Sequence, residues 1–142
     1  MPTFTFINAD RVDFTDNKVE PFAVAGEQTS DRNGHIFYIP TSMKPFIAEG
    51  KLAKDLFNFT KLNIAKYDDQ TRQTLPILIK HHGNLCQIAG LTIKRQFNII
   101  NYSSAEIDKT RAHNVLMHLM AQPYVEHIKL DEVLQLHQSS HF

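Results

Sequence analysis

Leu91–Gln122 reads LTIKRQFNIINYSSAEIDKTRAHNVLMHLMAQ, and two periodicities inside it set the fold class. From Leu91 to Ile99, apolar Leu91, Ile93, Phe97 and Ile99 alternate with Thr92, Lys94, Gln96 and Asn98. Period two is the mark of a strand with one buried face, because successive side chains leave a strand on opposite sides. Arg95 is the exception. Strict alternation puts its guanidinium on the apolar face, where a charge needs a partner. Further on, Ser103 and Glu106 stand at the spacing of a capping box. Ala112, Val115, Leu116 and Leu119 then recur at helical spacing, with Met120 at the margin. This predicts a helix from Ser103 to about Ala121, closed by Pro123. The rest of the chain is expected to pack around this strand and helix.

Towards the N-terminus, Thr3–Ile7 alternates Phe4 and Phe6 with Thr3 and Thr5, the pattern of a half-buried strand. Arg11–Phe14 reads as a short return strand. Lys18–Ala25 reads as an edge strand, because Pro21 has no N–H for a ladder. Residues 26–34 (GEQTSDRNG) read as a polar loop, and His35–Ile39 as a strand stopped by Pro40. Thr41–Glu49 has the marks of a short helix, with Thr41 or Ser42 as cap and Pro45 in its first turn. Over Lys51–Tyr67 the apolar residues Leu52, Leu56, Phe57, Ile64 and Tyr67 share one helical face, and Leu62 alone misfits.

Leu75–Ala89 admits two readings. One is a hairpin of LPILIK and NLCQIA around His81-His82-Gly83. The other is a helix pair, with Gly83 as a left-handed cap and Asn84 as an N-cap, which would make Leu75–Ile100 a helix-turn-helix. The period-two pattern after Leu91 favours strands. Lys129–His137 forms a last amphipathic segment, and residues 138–142 read as a frayed tail. The order is strands, helix, strands, two helices. The expected class is α+β: one domain over residues 1–142, a mainly antiparallel sheet with about three helices packed on it.

Composition excludes more than it assigns. With 142 residues and 42% hydrophobic content, the chain can bury a core without staples. Its 15 basic and 15 acidic residues cancel, which argues against a protein coating nucleic acid or anionic membrane by charge alone. Cys86 is the single cysteine, which removes an intrachain disulfide and any zinc site with two Cys ligands. The N-terminal MPTFTFINAD lacks the basic region and apolar core of a signal peptide, and no apolar run is long enough for a membrane span. The expected setting is cytoplasmic. The residue usage is of a kind associated with bacterial or phage proteins.

Charge is unevenly spread. Residues 51–102 hold eight Lys and Arg against three Asp and Glu. Lys51, Lys54, Lys61, Lys66, Arg72, Lys80, Lys94 and Arg95 would attract an anionic partner if they shared a surface, or are simply solvated faces if they do not. The partner- or anion-binding candidates are Lys80, His81, His82, Lys94 and Arg95. The catalytic possibilities are thin. A Cys86–histidine dyad with His81 or His82 is conceivable, but an isolated cysteine is more often a small buried hydrophobe. His113 and His118 lie about 140° apart around a helix and cannot converge on one metal. Asp68-Asp69 and Asp131-Glu132 are adjacent, so their side chains diverge. No phosphate-binding glycine loop or nucleophile elbow occurs. The primary expectation is a small non-catalytic protein without metal or cofactor, acting through a protein–protein interface as an accessory, inhibitor or immunity-type factor. Aromatic residues near turns (Phe14, Phe22, Tyr38, Phe46, Tyr102, Tyr124) are of the type that anchors interfaces. The alternatives are nucleic-acid binding through residues 51–102, by a helix-turn-helix or a basic sheet face, and a small hydrolase or transferase using Cys86 or His81/His82.

Overall fold

The structure is a computed structural model, and it describes residues 3–15, 18–21, 25–97 and 99–132. Strands β1 (Thr3–Thr5), β2 (Arg11–Thr15) and β3 (Lys18–Pro21) form an antiparallel meander, with Phe4 opposite Val12 and both buried. Phe22 and Val24 of the expected third strand lie outside the described residues. Strand β4 (Gly26–Ser30) pairs with β5 (Ile36–Pro40). Half of the expected polar loop is therefore a strand. Its side chains stay mostly exposed and none is apolar, so apolar patterning could not reveal it.

Thr41–Met43 makes one turn of 3-10 helix that runs into α1 (Lys44–Ala48). Pro45 takes the expected place in the first turn, but neither Thr41 nor Ser42 caps it. The long helix expected over Lys51–Tyr67 is broken. Lys51 and Ala53 exchange backbone bonds with Ile128, Lys54–Phe57 turn as 3-10 helix, and α2 spans only Phe59–Ile64. Asn58 decides the break. It is buried in an extended conformation, and its side-chain oxygen accepts from Lys61 N at 3.0 Å as an N-cap. The helical phase restarts there, so Leu62 faces the core and Ile64 faces solvent.

The C-terminal half carries β6 (Thr74–His81), β7 (Leu91–Phe97), β8 (Tyr102–Asp108), α3 (Ala112–Met120) and β9 (Val125–Leu130). The sheet order is β7-β8-β6-β9, with every neighbouring pair antiparallel. β6 and β7 therefore run parallel to each other with β8 between them, a split crossover. Its connection, residues 82–90, is irregular and forms neither the expected hairpin nor a helix pair. The expected helix start at Ser103 is also overturned. Residues 102–108 are strand, because Ser103, Ala105 and Ile107 alternate as the buried face of β8. The helix begins only at Ala112, and the cap-like bond belongs to Asp108, which accepts from Thr110 N at 3.0 Å. Of the segment expected at Lys129–His137, Lys129 and Leu130 finish β9, and residues beyond 132 lie outside the described residues, as does the expected frayed tail.

The class is α+β, with helices packed on antiparallel sheets. Ile77 and Ile79 of β6, Ala105 and Ile107 of β8, and Ile128 of β9 form the sheet's inner face. Ala112, Val115, Leu116 and Leu119 of α3 belong to the same core, as the sequence stripe predicted. The core runs on into a phenylalanine cluster, where Phe4, Phe6, Phe57 and Phe59 meet edge-to-face at 5.1–5.3 Å.

Candidate functional site

The other face of the four-stranded sheet has no helix laid over it in the elements just described. Pairing registers arrange its side chains in rows across the strands. Phe97, Tyr102, Lys80 and His127 form one row, and Arg95, Ser104, Leu78 and Lys129 the next. Thr92, Glu106 and Pro76 make a third. Simple alternation would not have placed Arg95 and Phe97 here. The pairing shifts between Ile93 and Arg95, so Lys94 is the extra residue of a β-bulge. The bulge reverses the phase. Ile93 faces the core, whereas Arg95 and Phe97 join the outer rows. The charge that seemed to point into the apolar side is exposed and needs no buried partner.

Residues of all three rows, with Lys80, His127 and Thr92 outside it, line a groove of about 700 Å³, floored by Pro76, Leu78 and Ser104, with Tyr67 and Tyr102 among its walls. Three rings carry a cation. Arg72 lies over Tyr67 at 5.5 Å, Arg95 over Phe97 at 5.9 Å and Lys129 over Tyr102 at 5.1 Å. Glu106 is the groove's central carboxylate. It accepts from Thr74 Oγ1 and pairs with Arg72 at 3.3 Å and Lys94 at 3.7 Å. Burial works to raise its carboxyl, but the Thr74 bond and the two cations outweigh that and hold it below the ordinary carboxylate range. Burial pushes the Tyr67 phenol up to about 12, and its hydroxyl donates to the Asp131 carbonyl at 2.6 Å. Arg72 and Lys94 are thus engaged by Glu106. Lys80, Arg95 and Lys129 make no salt bridge among the described residues and leave this face positive.

Of the expected site residues, Lys80, Lys94 and Arg95 come together on this face. The basic middle of the chain does not form one patch. Lys51 donates to the Met120 carbonyl, Lys54 covers the Phe37 ring and Lys61 pairs with Glu132. His81 and His82 part company. His82 is exposed and meets Glu126 at 2.6 Å. His81 is buried, its Nε2 is 2.7 Å from Ser103 Oγ, and its Nδ1 has no partner among the described residues. Cys86 is exposed, and its Sγ accepts from the Tyr124 hydroxyl at 3.0 Å. The contacts of these side chains are therefore His81–Ser103, His82–Glu126 and Cys86–Tyr124. No group of three potential metal ligands occurs among the described residues, and no helix there is long and apolar enough to cross a membrane.

Sequence reasoning missed Glu106, Tyr67 and Lys129 as parts of one groove. Glu106 read as a capping-box acid and the other two as helical residues. The available signal was the alternation Tyr102, Ser104, Glu106 against Ser103, Ala105, Ile107, which the capping-box match masked. Fold and site together define an α+β protein with a cationic, aromatic sheet face that the described helices leave uncovered. No family model, curated protein or solved structure matches this chain.

Proposed function

We propose that the protein is a non-catalytic binding protein of a reducing, cytoplasmic setting, and that it holds a single-stranded nucleic acid across the open sheet face. The observation that carries this reading is the bulge at Lys94. It sets Phe97 beside Tyr102 and leaves Arg95, Lys80 and Lys129 flanking them. Bases stack on aromatic faces whatever their identity, while cations follow the phosphate backbone. A sheet face with adjacent rings and cations that make no salt bridge among the described residues supplies both. The neutral total charge is no obstacle, because the cations that matter are gathered locally.

Fluorescence anisotropy with short single-stranded DNA and RNA tests it. Neutralising about three phosphates should give a slope of log K against log salt of about −2. Tyr102→Ala should weaken binding about tenfold, the loss of one stacked base. No binding at low salt, or binding indifferent to Tyr102 and Arg95, rejects the reading. A protein partner is favoured by a different observation. Ile99 is 98% exposed and Ile100 57% exposed in the β7–β8 turn. Apolar side chains so placed are suited to burial against another surface. Co-purification lost on Ile99→Asp would support that partner, and co-purification without any protein partner would count against it.

A further inference from the structure

Beside the groove lies a second, smaller cavity of about 220 Å³, and Phe97 and Tyr102 line both. It sits where β6 ends and the β7–β8 turn begins. Among the described residues its lining contains no Lys, Arg, Asp or Glu. What it offers is neutral and polar: the amides of Asn84, Gln96 and Asn101, and the His81–Ser103 pair. His81 is 6% exposed, and its Nδ1 has no hydrogen-bond partner among the described residues. Either tautomer leaves that nitrogen unsatisfied. If Nε2–H donates to Ser103 Oγ, Nδ1 is a bare acceptor, and if Ser103 donates, Nδ1–H has no acceptor. Buried polar atoms in folded proteins are normally paired, so an orphan in the wall of a polar cavity marks a place for a ligand.

A cavity without charges suits a neutral heteroaromatic better than a phosphate. Phe97 and Tyr102 belong to the outer face on which the strand is proposed to stack, whereas Gln96, Ser103 and His81 lie on the inward side, so a base enters by turning around the end of the sheet. Side-chain amides present a donor beside an acceptor, the complement of the donor–acceptor edge of adenine. Resting on the nucleic-acid reading above, we propose that this cavity receives one base of the bound strand, an adenine, and makes binding base-selective. The backbone is then held by Lys80, Arg95 and Lys129, while base identity is read by Gln96, Asn101 and Asn84.

The test compares adenine-only, cytosine-only and thymine-only single strands of equal length on the full chain. The adenine strand should bind about tenfold more tightly than the thymine strand, the discrimination of one bidentate amide contact. Gln96→Ala, at an exposed strand position, should bring that ratio to within about twofold. The 15N resonances of the His81 imidazole should move on adding the adenine strand and stay in place with the thymine strand. Equal affinity for all three strands in the wild type, or a ratio unchanged by Gln96→Ala with a silent His81, overturns the pocket while leaving the sheet-face reading intact. Failure of every strand to bind overturns both.

Discussion

Replacing Lys109 with Met tests whether one buried ammonium ties the N-terminal meander to the four-stranded sheet. Lys109 follows β8 and is 7% exposed. Its Nζ donates to the Tyr67 carbonyl at 2.6 Å and to Asp69 Oδ1 at 3.0 Å. Asp69 in turn accepts from Thr5 N at 3.0 Å and Thr5 Oγ1 at 2.6 Å, and its own N–H donates to the Thr3 carbonyl. Burial lowers the Lys109 pKa, and the bond and charge of Asp69 work against that. Met keeps the apolar stem and deletes the charge, so two charge-assisted bonds vanish and the buried Tyr67 carbonyl loses its donor. Breaking a buried pair from one side costs about 3–5 kcal/mol. The Asp69 side chain is 24% exposed, and water can replace part of its lost contact. The expected cost is therefore at the low end, about 3 kcal/mol. Urea unfolding followed by circular dichroism, run on Lys109→Met, Asp69→Asn and the double variant, isolates the pair. The double variant should be less destabilised than the sum of the singles by about 1–2 kcal/mol. A Lys109→Met protein within about 0.5 kcal/mol of wild type, or strictly additive singles, refutes the link.

Gly90 has φ +98°, and a Cβ there would stand 2.7 Å from Arg111 Cβ and 3.1 Å from Val115 Cγ2. Gly90→Ala should cost about 2–4 kcal/mol from backbone strain and crowding together, read as a lower urea midpoint. Asn58→Ala removes the α2 cap and a 2.9 Å contact to His35 Nδ1, for about 2 kcal/mol by the same measurement. Tyr67, with its pKa raised to about 12, keeps its proton when folded after the unfolded chain has lost it above about 10. The folded state then binds more protons, so stability should fall as pH rises from about 10 to 12, by roughly 2 kcal/mol. Tyr67→Phe should flatten that limb in pH-dependent unfolding. Lys109, lowered by burial, acts with opposite sign below its unfolded value of about 10.4, so Lys109→Met should steepen the limb's onset.

Much of the fold was legible because burial imposes period. The strand around Phe4, the Leu91–Ile93 start of β7 and the α3 stripe Ala112, Val115, Leu116, Leu119 show the periodicity of their inner face, and His35–Ile39 stood out as an apolar run. Elements paired through the main chain without a repeating apolar face were not legible. β4 has no apolar face, and Lys51–Ala53 docks on β9 through main-chain bonds to Ile128. Asn58 shows the limit of counting along a wheel. A buried cap resets helical phase, so two short pieces can imitate one long helix. Of the site, Lys80, Lys94 and Arg95 were found because charge is visible in sequence. Their grouping was not, since it depends on strand order, which joins β6 to β8 across the whole of β7.

The most consequential misreading falls on the strand that builds the site. In β8, Ser103, Ala105 and Ile107 face inward, and Tyr102, Ser104 and Glu106 face outward. The inward residues at 103 and 105 are small. Ser103 is fully buried and satisfies its hydroxyl on His81, so the inner face carries a polar pair where a β-former would be expected. The outer face carries Glu106 to neutralise Arg72 and Lys94. Both departures from strong strand composition serve the two cavities, and both made the segment resemble a helix start. A strand whose inner face holds a polar pair and whose outer face holds a carboxylate has fewer positions left to advertise that it is a strand. The same holds one strand over. The bulge at Lys94 breaks the alternation, and that break is what carries Arg95 and Phe97 to the face where Tyr102 stands.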